Sequence, residues 1–196
     1  IIDAQNDFMP GGSLEVPGGD QILPVINGIQ EKFDLVVATQ DWHPENHSSF
    51  ASSHEGKKPF DTIEWQGMEQ ILWPDHCVIN STGAEFHPDL HTAQIETIFR
   101  KGMDREIDSY SGFYDNGHRK NTGLTGYLRE RNADELYFGG LAADVCVRFT
   151  VEDAIKEGFK ATVIEDATRP IDADEYRKMK KELQDKGCRF IESSQL

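Results

Sequence analysis

The chain has 196 residues with a hydrophobic fraction of 37%, which is enough to bury the core of a single domain over residues 1–196. Its 35 acidic and 20 basic residues give a formal net charge of −15, which argues against nucleic acid and membrane partners. No apolar run could span a bilayer and no signal peptide is apparent, so with only three cysteines we expect a cytoplasmic protein. The chain opens on Ile1 inside an apparent strand, so we expect a few residues to precede it.

Short apolar runs that end at turn residues recur along the chain and predict strands. They cover residues 1–2, 35–39, 95–99, 135–138, 161–164 and 189–191. Segments with apolar residues at helical spacing lie between them, at residues 21–33, 122–131, 144–156 and 173–186. This alternation predicts a three-layer, doubly wound α/β fold with a mostly parallel sheet of about six strands.

The region from residue 43 to about residue 89 contains no convincing core helix and is rich in His, Trp and Pro. A structureless loop of this length is uncommon and is usually functional. In open α/β sheets, ligands bind beyond the carboxyl ends of the strands. We therefore expect the chemistry where the strands stop, with this long loop beside it.

Four side chains that can carry chemistry follow predicted strands: Asp3, Asp41, Lys101 and, beyond a Gly-Gly turn, Cys146. Cys146 falls in the first turn of a predicted helix, where free N–H groups, the helix dipole and a nearby lysine favour the thiolate. The same N–H groups offer an oxyanion hole. Position alone leaves another interpretation open, because most isolated cysteines are inert core residues. Cys77 and Cys188 are assigned to that class.

Asp41 and His43 are two residues apart, so in an extended segment their side chains project to the same side. His76 would join them from the far end of the long loop. One Asp with two His is an open ligand set that suits Zn, Fe or Mn and leaves positions for water or substrate. Spacing alone leaves another interpretation open, in which two of the seven histidines merely flank a polar loop.

Five segments stand out in order along most of the chain: residues 2–8 (IDAQNDF), 39–44 (TQDWHP), 73–78 (WPDHCV), 100–102 (RKG) with 110–113 (YSGF), and 140–147 (GLAADVCV). Together they resemble the motifs of the nicotinamidase (pyrazinamidase) family of isochorismatase-like hydrolases. One departure is Ala143, where many members of that family carry Thr.

This resemblance implies a catalytic triad of Asp3, Lys101 and Cys146. It also implies an oxyanion hole from the backbone N–H groups of Ala142 and Cys146, next to a cis peptide between Leu141 and Ala142. The implied metal ligands in the region around residues 41–89 are Asp41, His43 and His76, with His47 as a candidate fourth ligand. The other histidines are expected to be surface or capping residues: His54, His87, His91 and His118.

The implied activity is hydrolysis of nicotinamide, and also of pyrazinamide, to the acid and ammonia in NAD salvage. Asp3 would take the thiol proton, Cys146 would attack the carboxamide carbon to form a thioester, and Asp3 would protonate the departing ammonia. By family analogy, the divalent metal anchors the pyridine nitrogen and acts by positioning the substrate. The candidate pocket residues are Phe8, Trp73, Leu141 and Tyr110, although large aromatic residues are often plain core residues.

Three alternatives stay open on the sequence. Another amidase of the same superfamily, acting on a carbamoyl compound or a different aromatic amide, would generally not need the metal ligands. An isochorismatase, which cleaves a vinyl ether, would not use the cysteine. A catalytically silent metal-binding α/β module would not need a complete triad. The sequence leaves the native metal and the assembly state open, including a homo-oligomer.

Overall fold

The structure, a computed structural model, describes residues 1–196 and contains seven strands and four α-helices. The strands are β1 (Val36–Asp41), β2 (Thr62–Trp65), β3 (Met68–Ile71), β4 (Ile95–Lys101), β5 (Glu135–Leu141), β6 (Lys160–Arg169) and β7 (Arg189–Ile191). The helices are α1 (Ile22–Ile29), α2 (Leu124–Glu130), α3 (Arg148–Lys156) and α4 (Ala173–Asp185). None of the helices has both the length and the apolar character needed to cross a membrane.

The strands outside the long loop pair in parallel, in two separate ladders. Strand β1 pairs with β4, while β6 lies between β5 and β7. Residues 1 and 2 connect the ladders, because Ile2 N–H donates to Gly139 O (2.8 Å) and Thr39 N–H donates to Ile1 O (2.9 Å). The predicted α/β fold with parallel strands is confirmed. The predicted continuous sheet of about six strands is met only in part, because Ile2 makes a single bridge to Gly140 rather than a full strand.

Helices cover both faces of the strands. Successive side chains of a strand point to opposite faces, and two neighbours on β6 illustrate the result. Ile164 packs in a core that contains Ile22 of α1. Val163 packs in a second core, with Val151 of α3 and Leu183 of α4. The parallel strands therefore form the middle of three layers.

Helix α4 begins as its sequence predicts, since the Asp172 carboxylate accepts hydrogen bonds from the N–H groups of Asp174 (2.7 Å) and Glu175 (3.1 Å). The segment before α3 differs from its prediction. Residues 143–147 form a π-helical turn, and the α-helix begins only at Arg148. The carbonyl of Ala142 accepts from the N–H groups of both Val145 and Val147 (3.1 Å each), which widens the turn. Turns of this kind occur often at functional sites.

The region from residue 43 to residue 89 contains no α-helix, as expected, but it is not structureless. Strands β2 and β3 form an antiparallel hairpin in which Trp65 pairs with Met68. The two turn residues, Gln66 and Gly67, both have positive φ (55° and 79°), the conformation that a two-residue hairpin loop requires. The sequence interpretation missed the hairpin because each strand is only four residues long, too short for its alternation to stand out.

One large cavity of the fold does not contain the strand-end residues. It has a volume of about 690 Å³ and lies between β1 and β5, bordered by Ile1, Ile2 and Leu196. Its lining includes neither Asp3 nor Cys146. The functional site must therefore be located from its chemistry rather than from cavity size.

Candidate active site

Lys101, the last residue of β4, lies at the centre of a buried cluster of charged groups and is only 2% exposed. Its Nζ lies 2.9 Å from Asp3 Oδ2 and 2.7 Å from Asp41 Oδ1. It also donates to Ser109 O (3.0 Å) and lies 3.4 Å from Cys146 Sγ. The structure therefore brings the three predicted catalytic side chains together, and Asp41 touches the same ammonium.

The backbone around Asp3 explains how these groups meet. Gly140 has φ 127°, and a Cβ at this position would lie 1.9 Å from Ile2 O, so only glycine lets the first residues run this close to β5. Asp3 itself has φ 45°, a conformation that non-glycine residues rarely adopt and that is typical of functional positions. The predicted cis peptide between Leu141 and Ala142 is present.

Burial sets the protonation state of the nucleophile. It raises the pKa of the Cys146 thiol well above its ordinary value, and the nearby Lys101 ammonium does not reverse this effect. Burial alone would lower the pKa of Lys101, but Asp3 and Asp41 outweigh it and hold that pKa well above normal. The resting site therefore pairs a thiol with an ammonium. Burial and the Lys101 ammonium act on the pKa of this thiol in opposite directions, and burial has the larger effect.

Asp3 is placed to act as the base that such a thiol needs. Burial raises the pKa of Asp3, with Lys101 opposing the effect, and a raised pKa suits a carboxylate that takes and returns a proton. Its Oδ2 is buried and makes no geometrically satisfactory hydrogen bond. A carboxylate oxygen of Asp3 and the Cys146 sulfur belong to a group of atoms that all lie within 4.8 Å of one another. The Asp3 carboxylate is therefore an acceptor that lies beside the thiol.

Asp41, His43 and His76 form a second cluster that shares Asp41 with the first. His43 Nε2 and His76 Nε2 lie 3.5 and 3.7 Å from Asp41 Oδ2. The Nδ1 atoms face the carbonyls of Gly102 (3.0 Å) and Pro74 (2.8 Å). Because a carbonyl can only accept, each Nδ1 donates to it, and Nε2 is the ring nitrogen that faces Asp41 and can bind a metal ion.

These three residues fit a divalent metal ion. Their ligand atoms all lie within 4.8 Å of one another, and His43 Nε2 is buried without any hydrogen-bond partner. Burial alone would raise the pKa of Asp41, but Lys101 and His43 outweigh it and hold the pKa well below normal, so this carboxylate stays anionic. An anionic carboxylate with two imidazole lone pairs is a ligand set that Zn, Fe and Mn accept.

His47 lies beside this cluster, but the structure does not leave it a free nitrogen. Its ring centroid is 4.5 Å from that of His43. However, Nδ1 lies 2.7 Å from Ser49 Oγ and Nε2 lies 2.8 Å from Asp104 O. Both ring nitrogens are thus engaged, and a fourth ligand at His47 would require both contacts to break. The remaining histidines lie outside the metal-ligand groups: His54, His87, His91 and His118.

A small cavity of about 20 Å³ lies between the nucleophile and the histidine–aspartate cluster. Three of the predicted pocket residues line it, namely Phe8, Trp73 and Tyr110. The Tyr110 hydroxyl accepts from Trp73 Nε1 (3.2 Å), which fixes the two aromatic side chains relative to each other. Leu141 does not line the cavity. Its side chain is fully buried in the core that contains α1, so a contact of Leu141 with the substrate stays a prediction.

Three residues that the sequence interpretation did not select also form the site. Thr39 Oγ1 donates to Asp3 Oδ1 (2.6 Å). Gln5 holds the end of β1, because its Oε1 accepts from Asp41 N–H (2.8 Å) and its Nε2 donates to Asp41 O (2.8 Å). Asp108 lines the cavity. Thr39 and Gln5 lie inside segments that carry the family resemblance, whereas no sequence signal distinguishes Asp108 from the other acidic residues.

We expect Thr39→Val to lower the free energy of unfolding by about 1–3 kcal/mol, because the buried Asp3 Oδ1 loses its hydroxyl donor while the side-chain shape is kept. Urea unfolding of the two proteins measures this difference. Thr39→Ser, which retains a hydroxyl, should recover most of the lost stability. Equal stability of Thr39→Val and wild type would show that this hydrogen bond does not support Asp3.

Comparison with known proteins gives consistent results. The family model for the isochorismatase domain matches residues 1–195. The nicotinamidase of Acinetobacter baylyi is 53% identical over 174 residues, which cover 88% of this chain and 80% of that protein. A nicotinamidase/pyrazinamidase structure from Acinetobacter baumanii has a TM-score of 0.96 at 48% identity and covers 99% of this chain and 94% of its own. The structure of Pyrococcus horikoshii pyrazinamidase in complex with zinc has a TM-score of 0.80 at 36% identity, and the match covers 98% of this chain and 96% of its own. The chain therefore belongs to the nicotinamidase family of isochorismatase-like hydrolases.

Proposed function

We propose that this protein hydrolyses nicotinamide, and also pyrazinamide, to the corresponding acid and ammonia through a thioester on Cys146. The observation that carries the proposal is the position of Lys101 Nζ, within 2.7–3.4 Å of Asp3, Asp41 and Cys146 in a buried site. The nicotinamidase name of the 53% identical relative supports the same substrate. The proposal includes a single hydrolase domain over residues 1–196, a cytoplasmic setting and a role in NAD salvage.

The first half of the reaction forms the thioester. Asp3 Oδ2 takes the thiol proton as Cys146 Sγ attacks the carboxamide carbon, while the Lys101 ammonium offsets the negative charge that develops on the sulfur. The backbone N–H groups of Ala142 and Cys146 are the proposed donors to the oxyanion of the tetrahedral intermediate. Asp3 then returns its proton to the amide nitrogen, the C–N bond breaks and ammonia leaves.

The second half releases the acid. A water molecule enters where ammonia left, and Asp3, again a carboxylate, takes one of its protons. The resulting hydroxide attacks the thioester carbon, the C–S bond breaks and Cys146 recovers its proton from Asp3. One carboxylate thus serves as base and acid in both halves, which agrees with its raised pKa in this buried site.

We also propose that Asp41, His43 and His76 hold one divalent metal ion, with zinc, iron or manganese as candidates. The unpartnered His43 Nε2 supports this assignment, and the zinc complex of the related pyrazinamidase is consistent with it. When bound, the ion supplies a positive charge that anchors the pyridine ring nitrogen and orients the amide toward the sulfur. Phe8 and Trp73 are proposed to flank the ring, with Tyr110 at its edge.

Ammonia release from a panel of aromatic amides tests the function, with the metal content determined on the same sample. Nicotinamide and pyrazinamide should be hydrolysed, and benzamide, which lacks the ring nitrogen, should react much more slowly. Equal rates for benzamide and nicotinamide would contradict recognition of the ring nitrogen. Preferential hydrolysis of a carbamoyl compound would favour the rival amidase.

Chelation should remove nicotinamide binding and turnover, and both should return when the metal is added back. His76→Ala should have the same effect as chelation because it deletes one of three proposed ligands. His87→Ala provides the matched control, since His87 lies outside the candidate metal groups. Calorimetric binding of nicotinamide and elemental analysis measure the two effects. Unchanged substrate affinity in metal-stripped protein would disprove the anchoring role.

A further inference from the structure

The buried charges around the site do not balance by themselves. Four charged side chains there are at most 3% exposed, namely Asp3, Asp41, Asp108 and Lys101. Counted without the histidines and the Cys146 thiol, these three carboxylates and one ammonium sum to a net charge of −2. Burying an uncompensated charge is costly, so such a site favours binding of positive charge. A single divalent cation would neutralise it.

Of these three carboxylates, Asp108 is the one that forms no ion pair with a lysine or arginine side chain. It accepts a hydrogen bond from Ser109 N–H (2.7 Å). No lysine or arginine lies within 4.0 Å of it, and its nearest basic group is His43 Nε2 at 4.0 Å. Asp3 and Asp41, by contrast, both contact Lys101. Positive charge on the side that this carboxylate faces would therefore stabilise it.

Asp108 faces the cavity, beside the proposed metal ligands. It lines the cavity together with Asp41, His76 and Cys146. Ligand atoms of His43, His47 and Asp108 also form a group within 4.8 Å of one another. Charge interactions in a buried site are only weakly screened, so a carboxylate can act on a cation here without contacting it.

We propose that Asp108 is a positioning residue that balances the charge of the metal ion from outside its three ligands. The inference rests on the proposed metal site. Asp41 is the one anionic ligand and offsets one of the two positive charges, so Asp108 offsets the other. Partners beyond the direct ligands commonly change metal affinity by about 10- to 100-fold.

If Asp108 has this role, the effect of its replacement on thermal stability should differ between the metal-free and the metal-bound protein. In the metal-free protein, Asp108 adds to a negative cluster, so Asp108→Asn should leave the melting temperature unchanged or raise it. In the presence of metal, the same substitution should reduce the stabilisation that the ion provides. A carboxylate with only a structural role would instead lower the stability of the metal-free protein when it is replaced.

The test compares chelator-stripped wild type, Asp108→Asn and Asp108→Glu. Zn²⁺ affinity is measured by competition with a chromophoric chelator, and thermal unfolding is followed with and without Zn²⁺. Asp108→Asn should bind Zn²⁺ about 10- to 100-fold more weakly, and Asp108→Glu, which keeps the charge, should recover most of the affinity. Asp153→Asn is the control, because Asp153 is 2% exposed but pairs with Lys156 (3.0 Å) and His118 (3.3 Å). It should lose stability and keep the wild-type Zn²⁺ affinity.

Wild-type Zn²⁺ affinity in Asp108→Asn would overturn the inference, and so would a lower melting temperature or failed folding of its metal-free form. If wild type bound no divalent ion, both the inference and the proposed metal site would fail. If the Zn²⁺ affinity depended on Asp108 as expected but wild type released no ammonia from nicotinamide, the inference would stand and the proposed function would fail. The affinity measurement uses no substrate, so the two outcomes are separate.

Discussion

Cys146→Ala should abolish ammonia release from nicotinamide, lowering kcat/KM by on the order of 10⁴-fold or more while leaving the protein folded. The reason is geometric: Cys146 Sγ lines the cavity and lies 3.4 Å from Lys101 Nζ, and no other cysteine reaches this position. The change removes a single heavy atom, so the loss of folding stability should be small, about 1 kcal/mol. A coupled ammonia assay and urea unfolding measure the two quantities.

Cys188→Ala is the matched control for this experiment. Cys188 is also buried and unpaired, but it lies just before β7 and packs in the core that contains α4. Its replacement should cost a similar amount of stability and leave kcat/KM within about twofold of wild type, as expected for a substitution remote from the reacting atoms. Turnover by Cys146→Ala within tenfold of wild type would exclude the thioester mechanism.

Lys101→Met should lower the free energy of unfolding of the metal-free protein by about 3–5 kcal/mol, the usual cost of breaking a buried ion pair from one side. Methionine fits the space of the lysine stem but removes the ammonium that contacts both Asp3 and Asp41. The two carboxylates then lie buried without their cation. Turnover should also be lost, because nothing offsets the charge on the sulfur during attack. Urea unfolding after chelation gives the stability.

Two further variants separate this effect from a general loss of charge. Lys120→Met removes a lysine that pairs with Asp104 but is 71% exposed, so the free energy of unfolding should stay close to that of wild type. The double variant Asp3→Asn with Lys101→Met should be more stable than Lys101→Met alone, because one of the stranded charges is removed. If the double variant were less stable than the single one, the charge explanation would be incorrect.

The meeting of Asp41 and Lys101 could be predicted from the sequence. Both follow β-rich runs, and the carboxyl ends of parallel strands lie at one edge of a sheet. In the structure, β1 and β4 are adjacent and pair in a register that places Asp41 opposite Lys101. Local patterning and one general property of parallel sheets were sufficient here. Cys146 followed in the same way, from its position after β5.

Other parts of the site depend on packing that local patterns do not encode. Asp108 lies in an irregular segment between β4 and α2, and its importance comes from burial and from the absence of a basic neighbour. The protonation state of Cys146 could not be predicted for the same reason, because desolvation depends on the whole fold. His47 has the residue type of a ligand, and only tertiary contacts with Ser49 and Asp104 reveal that its nitrogens are occupied.

A single carboxylate joins the two halves of the site: Asp41 Oδ1 contacts Lys101, while Oδ2 faces His43 and His76. Thermodynamic linkage follows from this arrangement. If a metal ion bound at Oδ2 weakens the interaction between Asp41 and the Lys101 ammonium by some factor, then the Asp41–Lys101 interaction weakens binding of the ion by the same factor. Chemical modification of the Cys146 sulfur beside Lys101 should therefore change the affinity of the protein for the metal ion. Binding of the metal ion should in turn change the reactivity of this sulfur.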